Sequence, residues 1–162
     1  MPVRQKRPVR VLVVENEALA AYFTSYLGRV WRRANARNRG FSYQVHNRSD
    51  PEDAYNLLSL RRFDIIIGRW NYADSNCPPF TMYQFALESA GDDPQAWPHV
   101  YILDVLTNEL MADLHRQFAS YIARGAMIHW LHKEDPATPP KVSQELAHSL
   151  ARALEMHTEL VT

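Results

Sequence analysis

The sequence has a single cysteine, Cys77, so it cannot form an intramolecular disulfide framework. We therefore expect a protein of the reducing cytoplasm. Long hydrophobic runs are also lacking. After the basic residues 1–8, the first apolar run extends only from Val11 to Val14, which is too short for a signal peptide or a membrane span. A glycine-rich phosphate loop is absent, which argues against a nucleotide-binding enzyme. The seven histidines are scattered, and we expect no metal site.

The composition fits one domain with a substantial core, since 46% of the 162 residues are hydrophobic. We expect residues 1–8 to form a disordered basic tail and residues 9–162 to form a single domain. The sequence shows no internal repeat and no linker.

A net charge of zero hides a strong asymmetry. Residues 1–48 contain ten Lys or Arg against two acidic residues, a net charge of +8, and the remainder carries −8. Such a split indicates an anionic partner, head-to-tail association, or charges that solvate separate faces. Arg29, Arg33 and Arg37 share one side of a predicted helix, and they are our candidates for binding an acidic protein. Nucleic acid is a less favoured partner, because no known DNA-reading motif accompanies the arginines.

Apolar patterns typical of strands and helices alternate five times along the chain. Strands are predicted at 9–14, 41–47, 65–69, 99–103 and 127–131. Helices are predicted to start at about 18 and 51, and to cover 80–90, 108–123 and 141–159, with Ile122 facing the core. Short connections and right-handed crossovers then imply an α/β fold with a doubly wound parallel sheet of order 2-1-3-4-5.

In that strand order, the carboxyl ends of the strands face one crevice. Glu15 and Asn16 follow the first strand, Arg69 ends the central one, and Asp104 ends the fourth. His132 or Lys133 follows the fifth. Two carboxylates beside a cation could form an internal ion-pair cluster, or a site for an anion or a metal.

The chain resembles the response-regulator receiver domain. The valine-rich strand and acidic turn at 9–17 and the segment Phe63 to Arg69 match the family in phase. The fifth strand follows Gly125-Ala126 and leads to Lys133, as in the family but with one extra residue. This resemblance implies a flavodoxin-like fold and a role in bacterial two-component signalling in the cytoplasm.

The resemblance also implies a phosphorylation site, and this sequence departs from it at several positions. Arg69 stands where the family has its phosphate-accepting aspartate, and a guanidinium cannot form an acyl phosphate. The acid pair that holds magnesium is reduced to Glu15 and Asn16. Asp104 replaces the hydroxyl residue that follows the phosphoryl group. We expect Arg69 to lie within hydrogen-bond reach of Glu15, Asp104 or both.

Two further positions follow from the same resemblance. Lys133 matches the family's lysine, although the extra residue makes His132 a competitor for that position. Trp130 falls where the family places its switch aromatic, or it is packed into the core. With the fourth and last helices it belongs to the face through which receivers dimerise or bind targets, so a homodimer through this face is one expectation.

We therefore predict a degenerate receiver, a pseudo-receiver, that is phosphorylation-independent, uses no cofactor, is not an enzyme and acts by binding a protein partner. An alternative is a small metal- or ligand-binding α/β protein or enzyme that uses the strand-tip carboxylates. A third possibility is a receiver switched by a ligand or by pH. The long loop at 70–79 is either a lid over the site or a surface of aromatic anchors.

Overall fold

The structure is a computed structural model that describes residues 8–35, 43–72, 75 and 77–132. Its strands are β1 (Val9–Val14), β2 (Tyr43–Arg48), β3 (Ile65–Arg69), β4 (His99–Asp104) and β5 (Ile128–His132). Its helices are α1 (Glu17–Asn35), α2 (Pro51–Leu60), α3 (Pro79–Glu88) and α4 (Asn108–Ala123), with a short 3₁₀ turn at Pro94–Ala96. The predicted basic tail, except Pro8, and the predicted last helix at 141–159 lie outside the described residues.

The five strands form one parallel sheet of order β2-β1-β3-β4-β5, which confirms the predicted topology. The β-branched residues of β1 and β3 are buried on both faces of the sheet, as expected for central parallel strands. One core cluster packs around Leu12, Ile66 and Phe118, and the other around Val11, Ile67 and Phe23. The sheet is thus a layer between two apolar cores.

The register of the sheet brings the strand ends to one edge. Val14 lies beside Gly68, and Arg69 lies beside Leu103. The last pair of the β4–β5 ladder joins Asp104 and His132. The residues that end each strand therefore converge at the carboxyl edge, where open α/β sheets place their functional crevice.

Side-chain caps fix the helices that start at this edge. Asn16 Oδ1 accepts a hydrogen bond from the Leu19 amide at 2.9 Å, at the start of α1. Asp50 accepts from the Glu52 amide at 3.2 Å at the start of α2, and Thr107 caps α4 in the same way. Gly125, with φ of 104°, follows the end of α4 in the left-handed conformation that glycine adopts without strain.

Some sequence-based details were wrong. Ile122 does not face the core but is 40% exposed, because the inward stripe of α4 consists of Leu114, Phe118 and Tyr121, and Ile122 lies one position past it. Helix α3 ends at Glu88 rather than at 90, and β5 extends to His132.

In the part of the chain that the structure describes, no helix is long and apolar enough to cross a membrane.

Candidate functional site

An ion pair between Arg69 and Glu15 lies at the carboxyl edge of β1 and β3. Arg69 Nη2 is 2.9 Å from Glu15 Oε2, and the Glu15 side chain is fully buried while that of Arg69 is 22% exposed. A buried carboxylate is costly without a compensating charge, and arginine retains its charge under all ordinary conditions. The predicted contact between these two residues is therefore present. The functional role assigned to them stays a prediction.

Two tyrosine hydroxyls hold the backbone of Arg69. The Tyr72 hydroxyl accepts from the Arg69 amide at 2.8 Å and donates to the Val14 carbonyl at 2.9 Å. The Tyr83 hydroxyl donates to the Arg69 carbonyl at 2.8 Å. Burial raises the pKa of both tyrosines above the ordinary value, so both remain neutral hydroxyls that can donate. Tyr72 thereby bridges the ends of β1 and β3 with its side chain.

Gly68 makes room for these hydroxyls. A Cβ atom at this position would lie 2.7 Å from the Tyr72 hydroxyl and closer still to that of Tyr83. Any larger residue would push at least one tyrosine away from Arg69. A glycine at the end of an apolar strand is typical of a site where another group approaches the backbone closely, but this pattern does not identify the two tyrosines.

The Asp104 carboxylate accepts hydrogen bonds from three backbone amides. Its Oδ2 accepts from the backbone amides of Trp70 at 3.2 Å and Asn71 at 2.9 Å, and its Oδ1 accepts from Val105 at 2.7 Å. Of the two carboxylates predicted as possible partners of Arg69, Glu15 makes the contact, and Asp104 instead makes three contacts to peptide groups. The chain turns directly after β3, which brings the amides of Trp70 and Asn71 to the end of β4.

These contacts leave a poor donor set for magnesium. The Glu15 carboxylate is paired with Arg69, the oxygen of Asn16 caps α1, and Asp104 is surrounded by amides. Hard cations such as Mg²⁺ need several free oxygen ligands, and a guanidinium beside the carboxylate repels them. Within the described residues, no group of three or more His, Cys, Asp or Glu side chains could hold a metal ion. The residues present therefore do not fit the ion.

At the end of β5, the His132 side chain accepts a hydrogen bond from the loop that follows β4. Its Nδ1 accepts a hydrogen bond from the Leu106 amide at 3.1 Å, and its side chain is exposed. His132 thus fixes the connection between β4 and α4. Lys133, the predicted counterpart of the family's lysine, lies outside the described residues.

A chain of aromatic contacts leads from the site to β5. Trp70 contacts Tyr83 in a nearly parallel arrangement, with centroids 6.4 Å apart, and contacts Phe118 of α4 at 5.9 Å. Phe118 in turn contacts Trp130 at 5.8 Å. Trp130, the predicted switch aromatic, is half-buried against the core and also contacts His115 of α4, with centroids 5.4 Å apart.

The loop after β3 borders an open cleft. The cleft has a volume of about 730 Å³, and its lining includes Arg69, Trp70, Tyr72, Phe80 and Gln117. Since the Tyr72 hydroxyl bonds to β1 and β3, the first part of the loop folds back over the ion pair. Residues 73, 74 and 76 of this loop lie outside the described residues.

The predicted basic stripe is described in part. Arg29 is exposed, with its guanidinium 5.8 Å from the centroid of the Tyr26 ring, and Arg32 is exposed as well. The side chain of Arg33 and the whole of Arg37 lie outside the described part of the structure.

Searches for relatives by sequence find nothing: no family model matches the chain, and neither does any curated protein. Solved structures are similar in fold. Chemotaxis protein CheY4 of Vibrio cholerae is 19% identical with a TM-score of 0.52, and the match covers 91% of this chain and 99% of that one. A response regulator receiver protein of Sinorhizobium medicae is 16% identical with a TM-score of 0.54, covering 96% and 98% of the two chains.

A third similar structure is the receiver domain of a sensor histidine kinase from Pseudomonas aeruginosa, which has a magnesium ion coordinated in its active site cleft. It is 15% identical with a TM-score of 0.50, and the match covers 92% of this chain and 99% of that one. These likenesses extend over almost all of each chain and confirm the predicted resemblance at the level of the fold. The chain therefore has the fold of a response-regulator receiver domain.

Proposed function

We propose that this protein is a phosphorylation-independent signalling module with a receiver fold, which acts by binding a protein partner. The observation that carries the proposal is the ion pair between Arg69 and the buried Glu15. A receiver accepts phosphate on a carboxylate at the end of its central strand, and here a guanidinium occupies that position. An arginine side chain offers no oxygen for an acyl phosphate.

Charge balance supports the same proposal. The similar receiver from Pseudomonas aeruginosa coordinates a magnesium ion in its cleft. In this chain the positive charge beside Glu15 comes from Arg69, which is covalently attached and cannot dissociate. We propose that this replacement fixes the site in one arrangement. A buried ion pair can specify a single structure even where its net contribution to stability is small.

The engaged carboxylates also argue for binding rather than catalysis. An enzyme that used the strand-tip acids would need at least one of them free to move a proton or hold a metal. Glu15 is paired with Arg69, and Asp104 accepts three amide hydrogen bonds. We therefore propose that the protein is not an enzyme and uses no cofactor.

For the partner, we propose a cytoplasmic signalling protein with an acidic surface. The exposed Arg29 lies on α1, within the basic part of the chain. Opposite charges on two partners speed their encounter and select the correct orientation. A homodimer through α4 and the predicted last helix is a second arrangement that we propose to test by the mass of the protein in solution.

The decisive experiment is incubation with acetyl phosphate, or with beryllofluoride, in the presence of Mg²⁺. We expect no phosphoprotein by mass spectrometry and no beryllofluoride-dependent spectral change. A receiver domain with an aspartate at the acceptor position serves as the positive control. A phosphoryl group on any carboxylate of this chain would overturn the proposal.

A thermal-shift screen distinguishes the proposed signalling module from the alternative, a metal- or ligand-binding protein. A ligand present at 100 times its Kd stabilises the folded state by about 2.7 kcal/mol, which gives a clear shift in Tm. We expect no such shift with Mg²⁺ or Mn²⁺. A saturable shift with either ion would favour the alternative.

A further inference from the structure

We propose that Asp104 is a tethered anion, which fills a nest of backbone amides that could otherwise bind a free oxyanion such as phosphate. This inference rests on the proposed function and deepens it, because it explains how the site is kept insensitive to phosphate in solution. Arg69, paired with Glu15, stands where a carboxylate would accept phosphate. The Asp104 carboxylate occupies the neighbouring amides, where a free anion could otherwise bind.

The geometry of the nest carries the inference. Three N–H groups converge on one carboxylate: those of Trp70 and Asn71 on Oδ2, and that of Val105 on Oδ1, at 3.2, 2.9 and 2.7 Å. Successive amides that point into one concavity form a typical anion-binding site in proteins. The Asp104 residue is 8% exposed, so water does not compete freely for these donors.

The surrounding charges favour an anion in this position. The carboxylate of Glu15 is already neutralised by the guanidinium of Arg69. The peptide dipoles of Trp70, Asn71 and Val105 are therefore available to compensate Asp104. Removing that carboxylate would leave three converging donors without an acceptor, and buried donors without an acceptor are unfavourable.

A purely structural role for Asp104 makes a different prediction. If the carboxylate only caps the loop after β3, its removal destabilises the protein, and no anion restores what is lost. If it is a tethered ligand, a free oxyanion of similar charge and size replaces it. The two roles are distinguished by whether phosphate binds to the truncated variant.

The test compares Asp104→Ala, Asp104→Asn and the unaltered protein, with inorganic phosphate as the probe. Alanine opens the nest, whereas asparagine has a side chain of nearly the same shape as aspartate, keeps one acceptor oxygen and serves as the matched control. Thermal unfolding is measured in phosphate and in chloride at equal ionic strength. Binding is followed by the amide resonances of Trp70, Asn71 and Val105.

We expect Asp104→Ala to lose thermal stability in chloride and to recover part of it in phosphate, with saturable shifts of the three amide resonances. The unaltered protein and Asp104→Asn should neither gain stability from phosphate nor show saturable shifts of these resonances. A folded Asp104→Ala variant whose three amides do not respond to tens of millimolar phosphate would overturn the proposal, as would an equal phosphate response in the unaltered protein.

If Asp104→Ala does not fold, Asp104→Ser is tested in the same way, and amide hydrogen exchange is measured on the unaltered protein. The amides of Trp70 and Asn71 should be protected although they belong to a surface loop, and unprotected amides would contradict the nest. A result that contradicts the amide nest is distinct from one that contradicts the proposed function. The proposed function is tested by phosphorylation of the unaltered chain and not by anion binding to a variant.

Discussion

Replacing Arg69 with methionine is the most informative perturbation of the site. The change keeps a long side chain and removes the cation, so the carboxylate of Glu15 would remain buried without its partner. Breaking a buried ion pair by removing one member costs about 3–5 kcal/mol. Because the Arg69 side chain is 22% exposed, solvent already screens part of the attraction, and we expect a loss of about 3 kcal/mol.

The loss should depend on pH in a particular direction. In Arg69→Met the buried carboxylate has lost its counter-ion, and burial without a compensating charge favours the neutral form of a carboxyl group. The folded variant then binds more protons than the unfolded one, and its stability increases as the pH falls from 7 towards 5. The difference between variant and unaltered protein should therefore shrink on acidification.

Urea unfolding at several pH values measures this effect, and thermal unfolding gives a second estimate. A loss of ~3 kcal/mol corresponds to a decrease in Tm of roughly 6–12 °C for a domain of this size. The double variant Arg69→Met with Glu15→Gln is the control, because it removes both charges and should recover much of the stability. A loss below about 1 kcal/mol, typical of exposed pairs, with no dependence on pH would refute our account of the site.

Replacing Arg69 with aspartate tests the charge argument in the opposite direction. This variant places a second carboxylate beside Glu15, so we expect it to be less stable than Arg69→Met in the absence of metal. Mg²⁺ should restore part of the stability, and the unaltered protein should not respond. The variant should still accept phosphate poorly, since Asp104 already occupies the neighbouring amides. Equal Mg²⁺ responses in both proteins would contradict this reasoning.

Three further predictions concern the surroundings of the site. Gly68→Ala should cost about 1–3 kcal/mol in urea unfolding, because the added Cβ would overlap two tyrosine hydroxyls; an unchanged midpoint would contradict the close packing. Changing Arg29, Arg33 and Arg37 to glutamate should abolish capture of an acidic partner in a pull-down while Tm changes little; undiminished capture would exclude the stripe as the binding surface. His129 lies on β5 and stacks on Tyr101, and its partial burial lowers the pKa of the imidazole; stability should therefore fall as the pH drops below about 6.5, and His129→Phe should reduce that fall, whereas identical pH profiles would contradict a half-buried, neutral imidazole.

Much of the fold could be predicted because its signals are local. The valine and isoleucine runs identify the central strands, and the observed bounds of α4 are those expected from its apolar spacing and from Gly125. The contact between Arg69 and Glu15 could also be expected, since parallel strands bring their carboxyl ends together and opposite charges pair. Ile122 was misplaced because a helix end offers two adjacent apolar residues and only packing selects between them.

The remaining parts of the site depend on how one loop turns. Tyr72 lies three residues beyond the strand, and nothing in the periodicity of the sequence indicates that its hydroxyl returns to Arg69 and Val14. The sequence likewise does not predict the three amides around Asp104, because contacts between a side chain and the backbone are set by loop conformation and not by residue type. A glycine at the end of a hydrophobic strand was the one usable signal.

The contacts around Arg69 support one another, which favours a single arrangement of the site. Arg69 keeps its position because the hydroxyls of Tyr72 and Tyr83 hold its amide and carbonyl, and these hydroxyls fit only because residue 68 is glycine. Tyr72 can return to the strands because Asp104 fixes the two amides that precede it in the loop. Each interaction thus depends on the geometry that the others impose, and cooperative networks of this kind lose more than one contact when one member is removed. Such interdependence is what a module needs if it presents one fixed surface to a partner instead of switching between two.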